Sequence, residues 1–277
     1  MEYPLVSIII TTRNSGNTLG DLLDSIKKQT YRYFEIILVD NFSSDKTMET
    51  ARKYTNLIFQ KGPERSAQRN LGIKKCHGKY TLILDSDMLL SKNILKECVE
   101  KCECHNTNNI KIGGLIIPEK SFGKGCWAKA KILEREINQG RDYFEAARFF
   151  PKTVFSKVGG YDIKLTGPED WDLPKRIQKR YQIDRIKNYI YHNEGRPTLL
   201  GLAKRKYYYG LSVHQYLTKQ QISAVSPVTI YFLRPAFYAH LKKMIKNPLL
   251  SFNLIIMLFA ETLGGGLGYL VGRFKNE

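Results

Sequence analysis

Short apolar runs that stop at a hydroxyl or acidic side chain, each followed by a stretch with helical spacing, recur through the first third of this chain. Val6 to Ile10 is a short run, mostly β-branched and interrupted only by Ser7, suited to a strand buried on both faces, and it gives way to Thr11, Thr12, Arg13 and Asn14. Leu19, Leu22, Leu23 and Ile26 then fall at i, i+3, i+4 and i+7, a single apolar stripe on a helix. Ile36 to Val39 repeats the strand and ends at Asp40, and the residues after Asp45 read as helix. Leu57 to Phe59, a helix from about Ser66 to Lys75, and Tyr80 to Leu84 continue the alternation, the last ending in Asp85-Ser86-Asp87. Ser91 is placed to N-cap a helix reaching Cys104, and Ile110 to Ile117 is a further apolar run closed by Pro118. Strands and helices alternating at this interval predict a mostly parallel, doubly wound sheet. Ligands bind such sheets beyond the carboxyl ends of the strands, so Thr11, Asp40 and Asp85 are expected to face one crevice.

Charge narrows the partners. The chain carries 44 Lys+Arg against 26 Asp+Glu, a net +18, which raises nucleic acid, a membrane face or phosphorylated small molecules as partners. The excess is uneven: from Trp171 onward 17 Lys/Arg face 5 Asp/Glu. The basic residues there alternate with tyrosines in Ala203 to Gly210 (AKRKYYYG) and are followed by apolar stretches at Ile222 to Leu233 and Leu249 to Val271, with Lys242, Lys243 and Lys246 between them. This arrangement suits phosphate and lipid headgroups better than a nucleic-acid footprint. Cys76, Cys98, Cys102, Cys104 and Cys126 are odd in number and follow an N-terminus with no signal-peptide pattern, so a reducing, cytoplasmic setting is expected. Cys98, Cys102, Cys104 and His105 lack the spacing of a zinc knuckle and read as helix residues.

Asp85-x-Asp87 places two carboxylates where a buried strand runs out, a pattern that serves either a solvated turn or a hard cation. It does not stand alone. VSIIITTRN (Val6 to Asn14), EIILVDNFSSDKT (Glu35 to Thr47), RSAQRNLGI (Arg65 to Ile73), LILDSDM (Leu82 to Met88) and GPEDWDL (Gly167 to Leu173) occur in an order and spacing that resemble the family 2 glycosyltransferases of the GT-A fold. The resemblance covers roughly residues 5 to 215 and implies a Rossmann-like, mixed but mostly parallel sheet. It implies a catalytic domain at 1–215, with a nucleotide-sugar half at about 1–110 and an acceptor half at about 111–215. Residues 216–277 are then a helical, membrane-associated tail.

The same resemblance implies roles for individual residues. Thr11, Arg13 and Asp40 match the region beside the nucleotide base and ribose, although Asp40 could equally cap its strand. Asp85 matches the carboxylate near the ribose, Ser86 is a further donor-binding candidate, and Asp87 matches the carboxylate that coordinates Mn²⁺ or Mg²⁺, with Asp85 and His192 as further candidate ligands. Arg69 and Asn70 match a pair near the donor sugar; Arg69 could instead pair with a carboxylate. In Glu169-Asp170 the aspartate matches the base of an inverting transfer, with Glu169 second and Asp172 a third carboxylate within reach. Trp171 could stack on a sugar ring or be structural. The Gln-x-x-Arg-Trp signature of processive synthases is missing, and Lys204, Arg205 and Tyr209 stand in that region as candidate contacts for the acceptor or the diphosphate.

The reading is therefore an inverting, single-sugar transfer from a UDP- or GDP-linked donor to a lipid-linked or membrane-proximal acceptor at the cytoplasmic face of an anionic membrane. Glu261 within Leu249 to Gly272, and lysines on the wrong side of a two-pass hairpin, favour in-plane helices over a spanning one, with a single crossing as the alternative. A nucleotidyl- or phosphotransferase would share the metal carboxylates but leaves Glu169-Asp170 without a task. A nucleic-acid-binding protein is supported by net charge alone.

Overall fold

The computed structural model describes residues 3–106, 111–141, 144–226, 229–231 and 234–275; Ile110, Phe232, Leu233 and the His105 side chain lie outside them. In chain order the elements begin β1 (Val6–Thr12), α1 (Leu19–Lys27), β2 (Phe34–Asp40), α2 (Thr47–Arg52), β3 (Ile58–Gln60), α3 (Arg65–Lys75), β4 (Tyr80–Asp85) and β5 (Met88–Leu90). They continue with α4 (Ile94–Asn106), β6 (Ile112–Ile116), β7 (Glu119–Phe122), α5 (Cys126–Asn138), β8 (Ala147–Pro151), α6 (Lys152–Lys157), α7 (Glu169–Gln178), β9 (Gln182–Arg185) and β10 (Ile190–Asn193). Four helices close the chain: α8 (Leu199–Gln220), α9 (Pro235–Ala239), α10 (Leu241–Lys246) and α11 (Pro248–Phe274).

These elements fall into two compact units. The first comprises Met1–Glu119, Ala146–Ile163 and Glu169–His192, and the second Lys120–Glu145, Lys164–Pro168 and Asn193–Glu277. The first is built on a seven-stranded sheet of order β3-β2-β1-β4-β8-β6-β9. β1 pairs parallel with β2 and β4, as do β2 with β3 and β6 with β9, while β8 runs antiparallel between β4 and β6. The expected mixed, mostly parallel α/β sheet is thus observed. Because side chains alternate across a strand, Ile8, Ile10, Leu38, Leu82 and Leu84 join the core beneath α1 and α4, whereas Ile9, Ile37, Val39 and Ile83 join the core beneath α3, α6 and α7. Leu19, Leu22, Leu23 and Ile26 are all fully buried, as their spacing predicts. α3 lies close on the sheet because Gly72 has no side chain: a Cβ there would sit 2.4 Å from Ile9 Cγ2. α4 starts at Ile94 rather than at a Ser91 cap; Gln29 Oε1 accepts the Leu95 N–H (3.2 Å), so a side chain from α1's end satisfies the helix N-terminus. Cys98 and Cys102 are buried on α4, and burial pushes the Cys102 thiol up to about 12.

The second unit packs α5, α8, α9 and α11 around Leu133, Ile137, Leu202, Phe237, Leu254 and Met257. The boundary expected at residue 215 runs through the continuous helix α8, and α5 shares this core, so the C-terminal helices are not a separate tail. Within Ile222 to Leu233 the described residues form no α-helix, because Gln221 at φ 53° ends α8 and the chain continues as turns. α11, the one helix among the described residues long and apolar enough to cross a membrane, has two unlike faces. Gly264, Gly268 and Gly272 lie against α8, where a Cβ would come within 2.3, 2.1 and 2.1 Å of the Ala203, Tyr207 and Leu211 carbonyl oxygens. On the same side Glu261 is ion-paired with Lys131 (2.8 Å) and Lys206 (3.8 Å). The other side exposes Leu249, Phe252, Phe259, Leu263, Leu267 and Phe274 along the whole length of the helix.

Candidate active site

The parallel strands of the first unit end together. Thr12 is in register with Asp40 and Thr11 with Asp85, so the hydroxyls and carboxylates at these ends share one edge of the sheet. Thr12 Oγ1 donates to Asp40 Oδ1 (2.7 Å), and Ser43 donates its hydroxyl to Oδ1 (2.6 Å) and its backbone N–H to Oδ2 (2.7 Å). Asp40 has no accessible surface, so it closes the loop after β2 as a strand-end cap and offers no oxygen to a donor base in this conformation. Thr11 Oγ1 lies 3.5 Å from Asp85 Oδ1, Arg13 is exposed at the edge, and Ser86 Oγ donates to Ser15 Oγ (2.7 Å).

α3 supplies the cation around which the site is organised. Arg69 has no accessible surface; its Nη1 donates to Asp170 Oδ1 (2.7 Å) and lies 3.5 Å from Glu169 Oε1, while Nη2 donates to Asp85 Oδ1 (3.0 Å). Its guanidinium also stands 5.1 Å from the centre of the Tyr161 ring. Burial opposes the charge, but the Asp170 and Asp85 carboxylates outweigh it and hold Arg69 well above its ordinary pKa. The neighbouring Asn70 does not reach the crevice: its amide donates to the Tyr161 carbonyl (2.8 Å) and accepts the Tyr161 N–H (2.9 Å), clamping the loop that carries that ring. Gln68, not foreseen, donates from one amide to the Thr12 (3.1 Å) and Val39 (2.7 Å) carbonyls and ties β1 to β2 at their ends.

Asp85 is held from both sides. Its Oδ2 faces Arg148 Nη1 at 3.5 Å, and despite burial the Arg69 and Arg148 charges keep its carboxyl well below the usual carboxylate range. Both its oxygens therefore already have cationic partners, which disfavours Asp85 as a metal ligand. Arg148 Nε also donates to Glu119 Oε1 (2.7 Å), and Glu119 Oε2 lies 3.1 Å from His192 Nδ1. β10 pairs antiparallel with β5 so that His192 is opposite Met88, which brings His192 Nε2 to 3.6 Å from Asp87 Oδ2. Burial lowers the histidine's affinity for a proton, yet the Asp87 and Glu119 carboxylates raise its pKa to about 10. Asp87 Oδ1 is buried without a hydrogen-bond partner. Among the described residues no three acidic, thiol or imidazole groups form a closed metal cage. An orphaned carboxylate oxygen beside an imidazole fits a hard divalent cation, which Asp87 and His192 would hold.

α7 resolves the three carboxylates of the Glu-Asp-Trp-Asp stretch by direction. Asp172 is fully buried and accepts from Arg176 Nε (2.7 Å), whose two Nη groups donate to the Val158 and Gly160 carbonyls (2.5 Å each). Glu169 is 1% exposed and lies between Arg65 (3.3 Å) and Arg69; burial and the adjacent Asp170 charge nonetheless raise its pKa. The Asp170 side chain is 21% exposed, the more accessible of the pair. Trp171 is half-buried. In the second unit, Lys204 and Arg205 are exposed on α8, and Tyr209 packs against Gly167. Arg148 and Glu119 carry no motif; the only signal was a charged residue within the apolar run Ala147 to Phe150, which a buried strand tolerates only with a partner.

The family described as Glycosyl transferase family 2 matches residues 7–148, just over half of the chain. A "PGL/p-HBAD biosynthesis glycosyltransferase" of Mycobacterium bovis is 28% identical over 181 residues, covering 62% of this chain and 69% of that protein. The Staphylococcus aureus poly(ribitol-phosphate) beta-N-acetylglucosaminyltransferase TarP is 30% identical over 167 residues, 55% of this chain and 50% of TarP. Among solved structures, S. aureus TarS 1-349 in complex with UDP-GlcNAc superposes with a TM-score of 0.54 at 17% identity over 94% of this chain and 90% of that one. The mannosyltransferase PcManGT of Pyrobaculum calidifontis, in complex with GDP-Man and Mn²⁺, gives 0.64 at 13% identity over 97% and 88%. Arg69 on α3 and Asp85 and Asp87 at the end of β4 all lie inside the matched segment, and the chain belongs to glycosyl transferase family 2 as a glycosyltransferase of the GT-A fold.

Proposed function

We propose that this protein transfers a single sugar, with inversion, from a UDP- or GDP-linked donor to an acceptor at a membrane surface. The observation that carries the reading is the Arg69 junction, where the strand-end Asp85 and the helix-borne Asp170 share one buried guanidinium. Relatives of the same fold in complex with UDP-GlcNAc and with GDP-Man and Mn²⁺ support a nucleotide-sugar donor. Asp87 and His192 are the residues suited to hold a divalent cation, which when bound neutralises charge developing on the leaving diphosphate. Thr11, Arg13 and Ser86, at the strand edge, are suited to the nucleoside.

In this mechanism Asp170 takes the proton from the acceptor hydroxyl as that oxygen attacks the anomeric carbon. Arg69 fixes Oδ1 of Asp170 and so sets the direction of Oδ2. Glu169 is too enclosed to receive an acceptor and acts through the field it shares with Arg65 and Arg69. Asp40, Asn70 and Asp172 shape the loops around the site.

The second unit supports membrane association. α11 is 27 residues, about 40 Å at 1.5 Å per residue, with one face apolar and exposed. A spanning orientation would carry the Glu261, Lys131 and Lys206 charges into hydrocarbon, so α11 lies in the plane of the interface with Lys242 and Lys246 at headgroup level. Lys204 and Arg205 suit a phosphate of the acceptor or the lipid, which makes a lipid-linked acceptor at the cytoplasmic face the preferred one. Titration of a panel of UDP- and GDP-sugars by calorimetry, with and without Mn²⁺, tests the donor reading. Binding should require the metal and disappear in Asp87→Ala; metal-independent binding that survives in the variant overturns the assignment.

A further inference from the structure

Between the proposed base and the proposed metal position runs an unbroken series of charged side chains, all within the first unit. Asp170 accepts from Arg69, and Arg69 donates to Asp85. Asp85 faces Arg148, which donates to Glu119, and Glu119 in turn contacts His192, which faces Asp87. Each arginine bridges neighbouring carboxylates of the series, and in Asp85 and Glu119 each of the two oxygens meets a different cationic or imidazole partner. We propose that Glu119 is a positioning residue for the transfer reaction: it fixes the His192 ring with Nε2 toward Asp87, and Arg148 holds Glu119 in place against the strand-end Asp85.

Three observations carry this. First, Glu119 and Arg148 have side chains only 9% and 7% exposed, so the pair is not a solvated surface contact. Second, β10 sets which residue stands opposite Met88 but leaves the imidazole free to rotate about its own bonds; the 3.1 Å contact of Nδ1 with Glu119 is the restraint that selects Nε2 for the Asp87 side. Third, Arg148 Nε meets Glu119 Oε1 at 2.7 Å while its Nη1 reaches Asp85, so the strand β8 braces the histidine and the strand-end carboxylate through one guanidinium. A carboxylate behind a ligating imidazole orients the ring and raises its basicity, and losing such a partner weakens metal binding by about 10–100-fold.

The inference rests on the metal reading above, and the test separates the two. Glu119→Gln is isosteric but retains a single acceptor oxygen, so it can serve His192 or Arg148 and not both. Arg148→Lys keeps a charge but cannot fork between Glu119 and Asp85. Mn²⁺ affinity in the presence of UDP or GDP, read from the free Mn²⁺ resonance signal, should fall about tenfold or more in Glu119→Gln and in the same direction in Arg148→Lys. The transfer rate of Glu119→Gln should recover as Mn²⁺ is raised to saturation, a rescue that a merely structural defect would not show. Wild-type affinity in both folded variants overturns the role of Glu119; a wild-type protein that binds no Mn²⁺ with either nucleotide overturns the metal reading and this inference with it. Should Glu119→Gln not fold, Arg148→Lys decides alone.

Discussion

Replacing Arg69 by methionine removes a buried cation shared by Asp85, Glu169 and Asp170, with consequences that follow in sign and scale. The guanidinium nitrogens lie 3.0, 3.5 and 2.7 Å from the three carboxylates, with no part of the side chain accessible. At an effective dielectric of about 20, unit charges about 4 Å apart attract by about 4 kcal/mol. Three such contacts are opposed by the cost of desolvating Arg69 and by the mutual repulsion of the acids. Breaking a buried ion pair from one side is typically destabilising by about 3–5 kcal/mol, and that is the expected loss at about pH 7.5. Arg65 and Arg148 remain near Glu169 and Asp85, so the acids are not wholly abandoned.

The pH dependence of that loss is diagnostic. In the wild type Asp85 is held below the usual carboxylate range, so its contribution is intact above its unfolded pKa of about 3.9 and is lost only as pH falls through the depressed folded value. In Arg69→Met the opposite linkage takes over. Glu169, already raised by burial and by Asp170, loses its nearest buried cation and rises further. A raised carboxylate costs stability at high pH and returns it as pH falls toward the unfolded value of about 4.3. The deficit should therefore shrink between about pH 7.5 and pH 5. Denaturant unfolding followed through Trp171, in a Trp127→Phe background, reads the first unit. A deficit under about 1 kcal/mol at pH 7.5, or one that widens on acidification, refutes the account.

Three further outcomes are expected. Asp170→Asn should retain Mn²⁺-dependent nucleotide binding and lose transfer to a hydroxyl acceptor by at least about 100-fold, the lower range of general-base contributions; undiminished turnover excludes it as the base. Gly268→Ala drives a Cβ to 2.1 Å from the Tyr207 carbonyl and should destabilise by about 1–3 kcal/mol in thermal unfolding, whereas Gly266→Ala, with nothing within 4 Å, should be neutral or stabilising by up to about 1 kcal/mol. Phe252→Ser together with Phe259→Ser, at positions 59% and 58% exposed, should lower partitioning to anionic vesicles by about tenfold or more without lowering stability, and unchanged co-sedimentation contradicts the in-plane reading of α11.

Periodicity made the first unit's central strands and helices legible because each is decided locally. Val6 to Ile10 and Ile36 to Val39 need only be apolar on both faces, and the stripe from Leu19 to Ile26 needs only its spacing. Elements whose partner lies far along the chain were not legible. β5 and β10 are three and four residues long and exist through pairing across 100 positions, and the Ser91 cap yields to Gln29 because the satisfying oxygen comes from α1's end. Glu261 counts against a spanning segment, yet its charge finds its partner 130 residues earlier at Lys131, and the four-residue spacing of Gly264, Gly268 and Gly272 is the one that admits close helix packing.

The site divides along the same line. A carboxylate at the end of a buried strand serves equally well as a ligand and as a cap, because both roles want a short acid with oxygens turned away from the sheet. Asp40, Asp85 and Asp87 are alike in that respect and differ in what their oxygens meet. Thr12 and Ser43 donate to both oxygens of Asp40, an arginine faces each oxygen of Asp85, and Asp87 keeps Oδ1 buried and without a hydrogen-bond partner. An unpartnered buried oxygen costs about 1–3 kcal/mol unless something binds it. That cost falls on the strand-end acid that has an imidazole opposite, and it is the physical ground for proposing Asp87, rather than the acids beside it, as the residue that would hold a cation.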